Sequence, residues 1–143
     1  MAQGLLRRSE EVNTDKIKSM IENAETNISS ARIIEVNISK HAKEWMNVYT
    51  LHYESLRIYS ECILYFDNFE STNHQCIFAA ICTKHTALEL DWNFFEKIRT
   101  KRHGVNYYGS RITYEDWKAI EAQIRVYLST LRKSVLKSLK NNS

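Results

Sequence analysis

The sequence predicts an all-α fold, an antiparallel up-and-down bundle of four or five helices. Three observations predict it. The 143 residues include no proline and only three glycines, so the two residue types that interrupt helices are nearly missing. Apolar residues recur at steps of three and four over long stretches. Hydrophobic content is 43% and charged content 26%, the balance of a globular chain and not of a disordered one. A chain of this length is most simply one domain, burying roughly two-thirds of its unfolded surface. Residues 1–13 read as a flexible leader and residues 14–140 as the domain.

The first helix is expected over about 15–37. Thr14 serves as its N-cap, with Asp15 at the positive helix end, and Ile17, Ile21, Ala24, Ile28 and Ala31 form one face. The second is expected over about 41–69, with Val48, Leu51, Ser55, Tyr59, Cys62, Phe66 and Phe69 as its stripe. At 1.5 Å per residue it reaches about 43 Å, long enough to be the spine of the bundle. Turn and cap residues follow in 67–73.

The third helix, about 73–85, carries Cys76-Ile-Phe-Ala-Ala-Ile-Cys82. It is apolar all round, so it is expected to be the most buried element. The fourth is expected over about 86–103, where Leu88, Trp92, Phe95, Arg99 and Arg102 share one stripe. That stripe carries two arginines toward the interior side of the helix end, while Lys97 and Lys101 point away. Gly104 fits the left-handed position that ends a helix. The fifth helix is expected over about 114–139. Thr113 and Asp116 form a capping-box variant, and Trp117, Ile120, Ile124, Leu128, Leu131, Val135 and Leu139 form its stripe. The short linker 104–112 makes the last two helices antiparallel neighbours.

Net charge is +3, too weak by itself to mark a nucleic-acid binder. The clustering is more informative. Lys97, Arg99, Lys101 and Arg102 fall within six residues, followed by His103, Gly104 and the pair Tyr107-Tyr108 before Gly109. A second cluster, Arg132, Lys133, Lys137 and Lys140, suits the negative end of a last helix. The odd cysteines Cys62, Cys76 and Cys82 form no CxxC pair and read as reduced core residues of a cytoplasmic protein. No apolar run approaches the ~20 residues of a membrane span. The first eight residues hold too little apolar length for a signal peptide. The histidines His41, His52, His74 and His85 have no ligand spacing, and no zinc signature or glycine-rich phosphate loop is present, so neither metal nor cofactor is expected. His52, beside the second helix's stripe, reads as a satisfied interior histidine. Trp45, Trp92 and Trp117 read as core or dimer-interface residues.

The helix order, the segment Ser71-Thr-Asn-His74 entering an apolar helix, and Arg102-His103 with Tyr107-Tyr108-Gly109 together resemble the HEPN superfamily of nucleotide-binding helical domains, in its small stand-alone prokaryotic and archaeal form. The resemblance covers about 14–139. It implies a four- or five-helix bundle, usually a homodimer. Active members are metal-independent endoribonucleases, whose motif is an arginine, four to six residues, then a histidine, presented across the dimer interface. In related two-gene toxin–antitoxin systems a small nucleotidyltransferase is the partner, and a tyrosine near the motif receives nucleotides. An arginine there holds the phosphate, and a histidine serves as acid or base.

This sequence departs from the motif, because Tyr107 stands five residues after Arg102 where histidine is usual. A phenol with a reference pKa near 10 is a poor base at neutral pH. The expected site is therefore Arg102, His103 and Tyr107 at the reacting position, with Arg99, Lys101, Arg102 and Tyr108 binding phosphate or RNA. The competing reading pairs Arg99 and Arg102 with Glu115, Asp116 and Glu121 of the last helix. It makes His103 a cap or surface residue, Tyr107 and Tyr108 covers of the core edge, and the protein a non-enzymatic interaction bundle.

Overall fold

The structure is a computed structural model that describes residues 6–8, 11–109 and 111–142; the side chains of residues 106–108 lie outside the described set. It is an all-α bundle. Five α-helices follow in order: α1 Thr14–Asn37, α2 Trp45–Phe66, α3 His74–Lys84, α4 Trp92–Tyr108 and α5 Tyr114–Asn141. A 3-10 turn, Thr86–Leu88, precedes α4, and two short strands, β1 Arg7–Arg8 and β2 Phe69–Glu70, pair antiparallel. Among the described residues no helix is long and apolar enough to cross a membrane.

Side-chain ties set the packing directions. Ser55 Oγ donates to the Ala24 carbonyl at 2.7 Å, and Cys62 meets Met20, so α1 and α2 are antiparallel. Arg132 reaches Glu25 and Arg125 reaches Glu35, so α1 and α5 are antiparallel too. Lys101 meets Asp116 while the Asp91 N–H donates to the Tyr127 hydroxyl, which makes α4 and α5 antiparallel. The stripes expected on α1 and α5 face the core, with Ile28 and Leu139 at its edge. Thr113 and Asp116 form the expected capping box.

The spine is α2, with thirteen buried residues of 22 against five of 11 in α3, so α2 and not α3 is the most buried element. It is shorter than expected, roughly 33 Å, because it stops at Phe66. Asp67 and the left-handed Asn68 turn the chain there. The next residues then run back along α2. His85, at the end of α3, pairs with Asp67 at 2.5 Å, whereas His74, at its start, pairs with Tyr53 at 2.8 Å. Tyr53 lies fourteen residues before Asp67, about 21 Å down the helix. After the turn at Asp67 and Asn68, residues 69–73 cover most of that length, at about 3.3 Å per extended residue. The return segment delivers the N-terminus of α3 to the middle of α2 and so positions the site.

Four sequence expectations change. The N-cap of α1 is Asn13, whose side chain accepts from the N–H groups of Asp15 and Lys16. Part of the leader is tied down: Arg7–Arg8 pair with the return segment and Leu6 packs on the core. Helix α4 starts six residues later than expected, because Thr86–Leu88 form a separate 3-10 turn and Asp91 caps the new helix. It also runs on through Gly104 and ends at Gly109, whose φ of 66° supplies the left-handed cap. A helical glycine costs about 1 kcal/mol relative to alanine, and Val105, packed against the core, helps carry the helix past it.

Candidate anion-binding cleft

The apolar face of α4 is Phe94, Phe95 and Ile98. Arg99 and Arg102 flank it, three residues apart and half-buried, and both line one polar cleft of about 340 Å³. The opposite wall is the start of α3, Asn73 to Gln75, with Thr72 of the return segment; Tyr53 of α2 and His103 complete the lining. The cleft thus brings together three of the expected residues, Arg99, Arg102 and His103. Lys101 does not join them. It turns to α5 and meets Asp116 at 3.4 Å. Tyr107 and Tyr108 continue α4 and do not form an extended loop, and their side chains lie outside the described residues.

Each arginine is held by a carboxylate, though not by those expected. Glu96, on the same helix, grips Arg99 through two bonds, 2.8 and 3.2 Å. Gln75 donates to Glu96 at 3.3 Å and ties this pair to α3. Arg102 meets Glu54 of α2 at 2.9 Å and lies over the Tyr53 ring, 5.0 Å from its centre. Neither arginine uses Glu115, Asp116 or Glu121, because α5 lies on the other side of α4, where Lys101 reaches it. A guanidinium has five N–H donors. The Nε of Arg102 is buried with no hydrogen-bond partner among the described residues, so Glu54 positions this cation without saturating it.

Neither His74, which the sequence shows only as the end of the Ser71–His74 segment, nor Tyr53 is among the expected site residues. His74 is the first residue of α3, placed there because the Asn73 side chain caps the helix by accepting from the Cys76 N–H at 2.9 Å. Its Nδ1 lies 2.8 Å from the Tyr53 hydroxyl. Burial, reinforced by Arg57, Arg102 and Arg99, pushes His74 below the usual imidazole range, and burial pushes the Tyr53 phenol well up. Both groups are therefore neutral near pH 7 and share one hydrogen bond. The first-turn N–H groups of a helix lack intrahelical partners and lie at its positive end, and this end of α3 faces two guanidiniums. Phosphate, with several acceptor oxygens and a negative charge, matches such a wall.

Among the described residues no group of three or more His, Cys, Asp and Glu is placed to hold a metal ion. Cys62 and Cys76 are buried and Cys82 is half-buried. Searches against family models, curated proteins and solved structures give no match to this chain.

Proposed function

We propose that this chain is a HEPN-like domain that binds RNA or nucleotide phosphate in the cleft between α3 and α4. The observation that carries the reading is the convergence of Arg99 and Arg102 on one half-buried cleft with the start of α3, the Nε of Arg102 having no partner among the described residues. In this reading the chain acts as a cytoplasmic homodimer and as the HEPN half of a toxin–antitoxin pair with a nucleotidyltransferase. The Arg102-His103 and Tyr107-Tyr108-Gly109 segments support it by their resemblance to that family. Binding, and not cleavage, is the proposed activity, because Tyr107 occupies the position of the family's histidine.

The test is retention of single-stranded RNA by the purified protein in chelator, beside Arg102→Ala and His103→Ala. The expected outcome is retention that requires Arg102 and leaves the RNA intact. Cleavage to 2′,3′-cyclic phosphate ends, lost in both variants, would make the protein a metal-independent ribonuclease with a relocated histidine. Absence of both retention and cleavage would favour the second reading, a protein-interaction bundle. The observation behind that alternative is the exposure of Ile33, Val36 and Val126 on α1 and α5.

A further inference from the structure

A second cavity, also about 340 Å³, lies on the other side of the return segment, between α1, α2 and α3. It shares Thr72 and His74 with the arginine cleft, so the two spaces meet at one residue pair. Its apolar lining is Met20, Leu64 and Ile77, with Tyr65 at the rim under the Lys16 ammonium, 4.5 Å from the ring centre. Its polar lining includes Arg57 and Glu61, bonded to each other at 2.6 Å, with Lys16, Glu70 and Ser71 around them.

One chain of charges links the two spaces. Arg102 meets Glu54, the other oxygen of Glu54 accepts from Arg57 at 2.8 and 3.0 Å, and Arg57 meets Glu61. Glu54, Arg57 and Glu61 are spaced three and four residues apart along one face of α2. A polar stripe on an otherwise apolar spine needs an explanation, since half-burying four charges costs desolvation that hydrophobic residues would avoid. Burial, with the Glu54 carboxylate nearby, pushes the Glu61 carboxyl up despite its contact with Arg57.

We infer that this second cavity is a nucleobase pocket, preferring guanine, for a nucleotide whose phosphate lies on Arg99 and Arg102. The phosphate half rests on the function proposed above; the base half rests on the pocket alone. The chemistry of the two spaces is that of a nucleotide's two ends, one cationic and open, the other apolar-walled with a polar edge. Guanine presents an acceptor, O6, beside two donors, N1–H and the 2-amino group. Adjacent guanidinium and carboxylate groups match that edge, Arg57 donating to O6 and Glu61 accepting from both donors. Uracil offers only one donor, flanked by acceptors. The ring would lie on Met20, Leu64 and Ile77, and the ribose would cross at Thr72 and His74.

The test is calorimetric titration with GMP, UMP, guanosine and ribose 5-phosphate on wild type, Glu61→Gln and Arg102→Ala, with thermal melts to show that each is folded. GMP is expected to bind at least tenfold tighter than ribose 5-phosphate or UMP. Glu61→Gln is expected to remove that margin, as loss of a charged hydrogen-bond acceptor costs about 1.5–3 kcal/mol, roughly tenfold to a hundredfold. Tyr65→Ala, a rim change that removes no member of the hydrogen-bonded ion chain, is expected to lower GMP affinity without touching ribose 5-phosphate. Equal binding of GMP, UMP and ribose 5-phosphate, all dependent on Arg102, would overturn the base pocket and leave the phosphate cleft standing. Guanosine binding that depends on Glu61 and ignores Arg102, without any Arg102 effect on GMP, would uphold the pocket and overturn the phosphate cleft. No binding of any of the four would overturn both.

Discussion

Two sets of arginines tie this bundle together, and they are built differently. On the α1–α5 seam Arg132 meets Glu25 and Arg125 meets Glu35 across the helices; both arginines are more exposed than those of the cleft, and Arg132–Glu25, at 45% and 47%, is the exposed extreme. In the cleft Arg102 and Glu54 are 26% and 22% exposed, and Glu54 serves two arginines at once. Exposed pairs of the first kind are worth about 0–1 kcal/mol each. Pairs of the second kind lose more hydration, so breaking one strands a charge. Each set also has a histidine beside it. His52 is 1% exposed and packed at a tilt against Trp117, whose ring lies under Arg125; His74 stands between two cavities beside Arg102. Burial lowers both imidazoles, yet only one faces open space. A lowered histidine is thus a mark of burial, and it points to chemistry only where a cavity lies in front of it.

The largest expected effect sharpens the histidine half of this comparison. His52 is held at about 4 against an ordinary 6.5. Between those values the unfolded chain takes a proton that the folded chain refuses. The His52 contribution to stability therefore falls as pH drops through 6.5 toward 4, by about 3 kcal/mol in all, and is constant below. Urea unfolding across pH 4–7 checks this, and His52→Leu should flatten most of the slope. A slope unchanged in that variant would mean that other groups carry the pH dependence.

The next effect separates the two arginine sets by function. Arg102→Ala should weaken RNA retention tenfold to a hundredfold, the loss of about 1.5–3 kcal/mol, while Arg132→Ala should leave it unchanged. Comparable loss in both would reduce the cleft to one part of a general basic surface. A smaller effect separates them by stability. Glu54→Ala, which leaves Arg102 and Arg57 short of a partner, should cost about 1–3 kcal/mol, read as a shifted urea midpoint. Glu25→Ala on the seam should cost about 0–1 kcal/mol, the smallest change of the four. A seam variant as costly as the cleft variant would erase the distinction between the two kinds of pair.

How far these features could be read in the sequence differs between fold and site. The stripes of α1 and α5 and the Thr113–Asp116 box were readable because they are local and periodic. The start of α4 was not, because Leu88 and Trp92 keep a helical step across a 3-10 turn that breaks the backbone; the signal available was Asp91, a good cap directly before the new helix. Its end is not local either: Gly104 carries a stop signal, whereas Val105 packs on the core beyond it and the helix ends at Gly109. The shared face of Arg99 and Arg102 followed from spacing. Their carboxylates did not, since Glu54 lies 48 positions before Arg102 and reaches it only through the fold. His74 and Tyr53 were hidden for the same reason. No local pattern says that residues 67–73 double back along α2 and set the first turn of α3 beside its middle. The charged run Glu54, Arg57, Glu61 on the spine and the Ser71–His74 segment entering an apolar helix are the signals the sequence offers there.

The central claim is that the cleft, and not net positive charge, holds phosphate. Its most direct test is the salt dependence of single-stranded RNA affinity for wild type, Arg102→Ala and Arg132→Ala. Each phosphate contact contributes a slope of about −0.7 in log affinity against log salt. The account predicts that Arg102→Ala loses affinity and about one such contact, while Arg132→Ala matches wild type. Parallel slopes and equal affinities in all three proteins would contradict it.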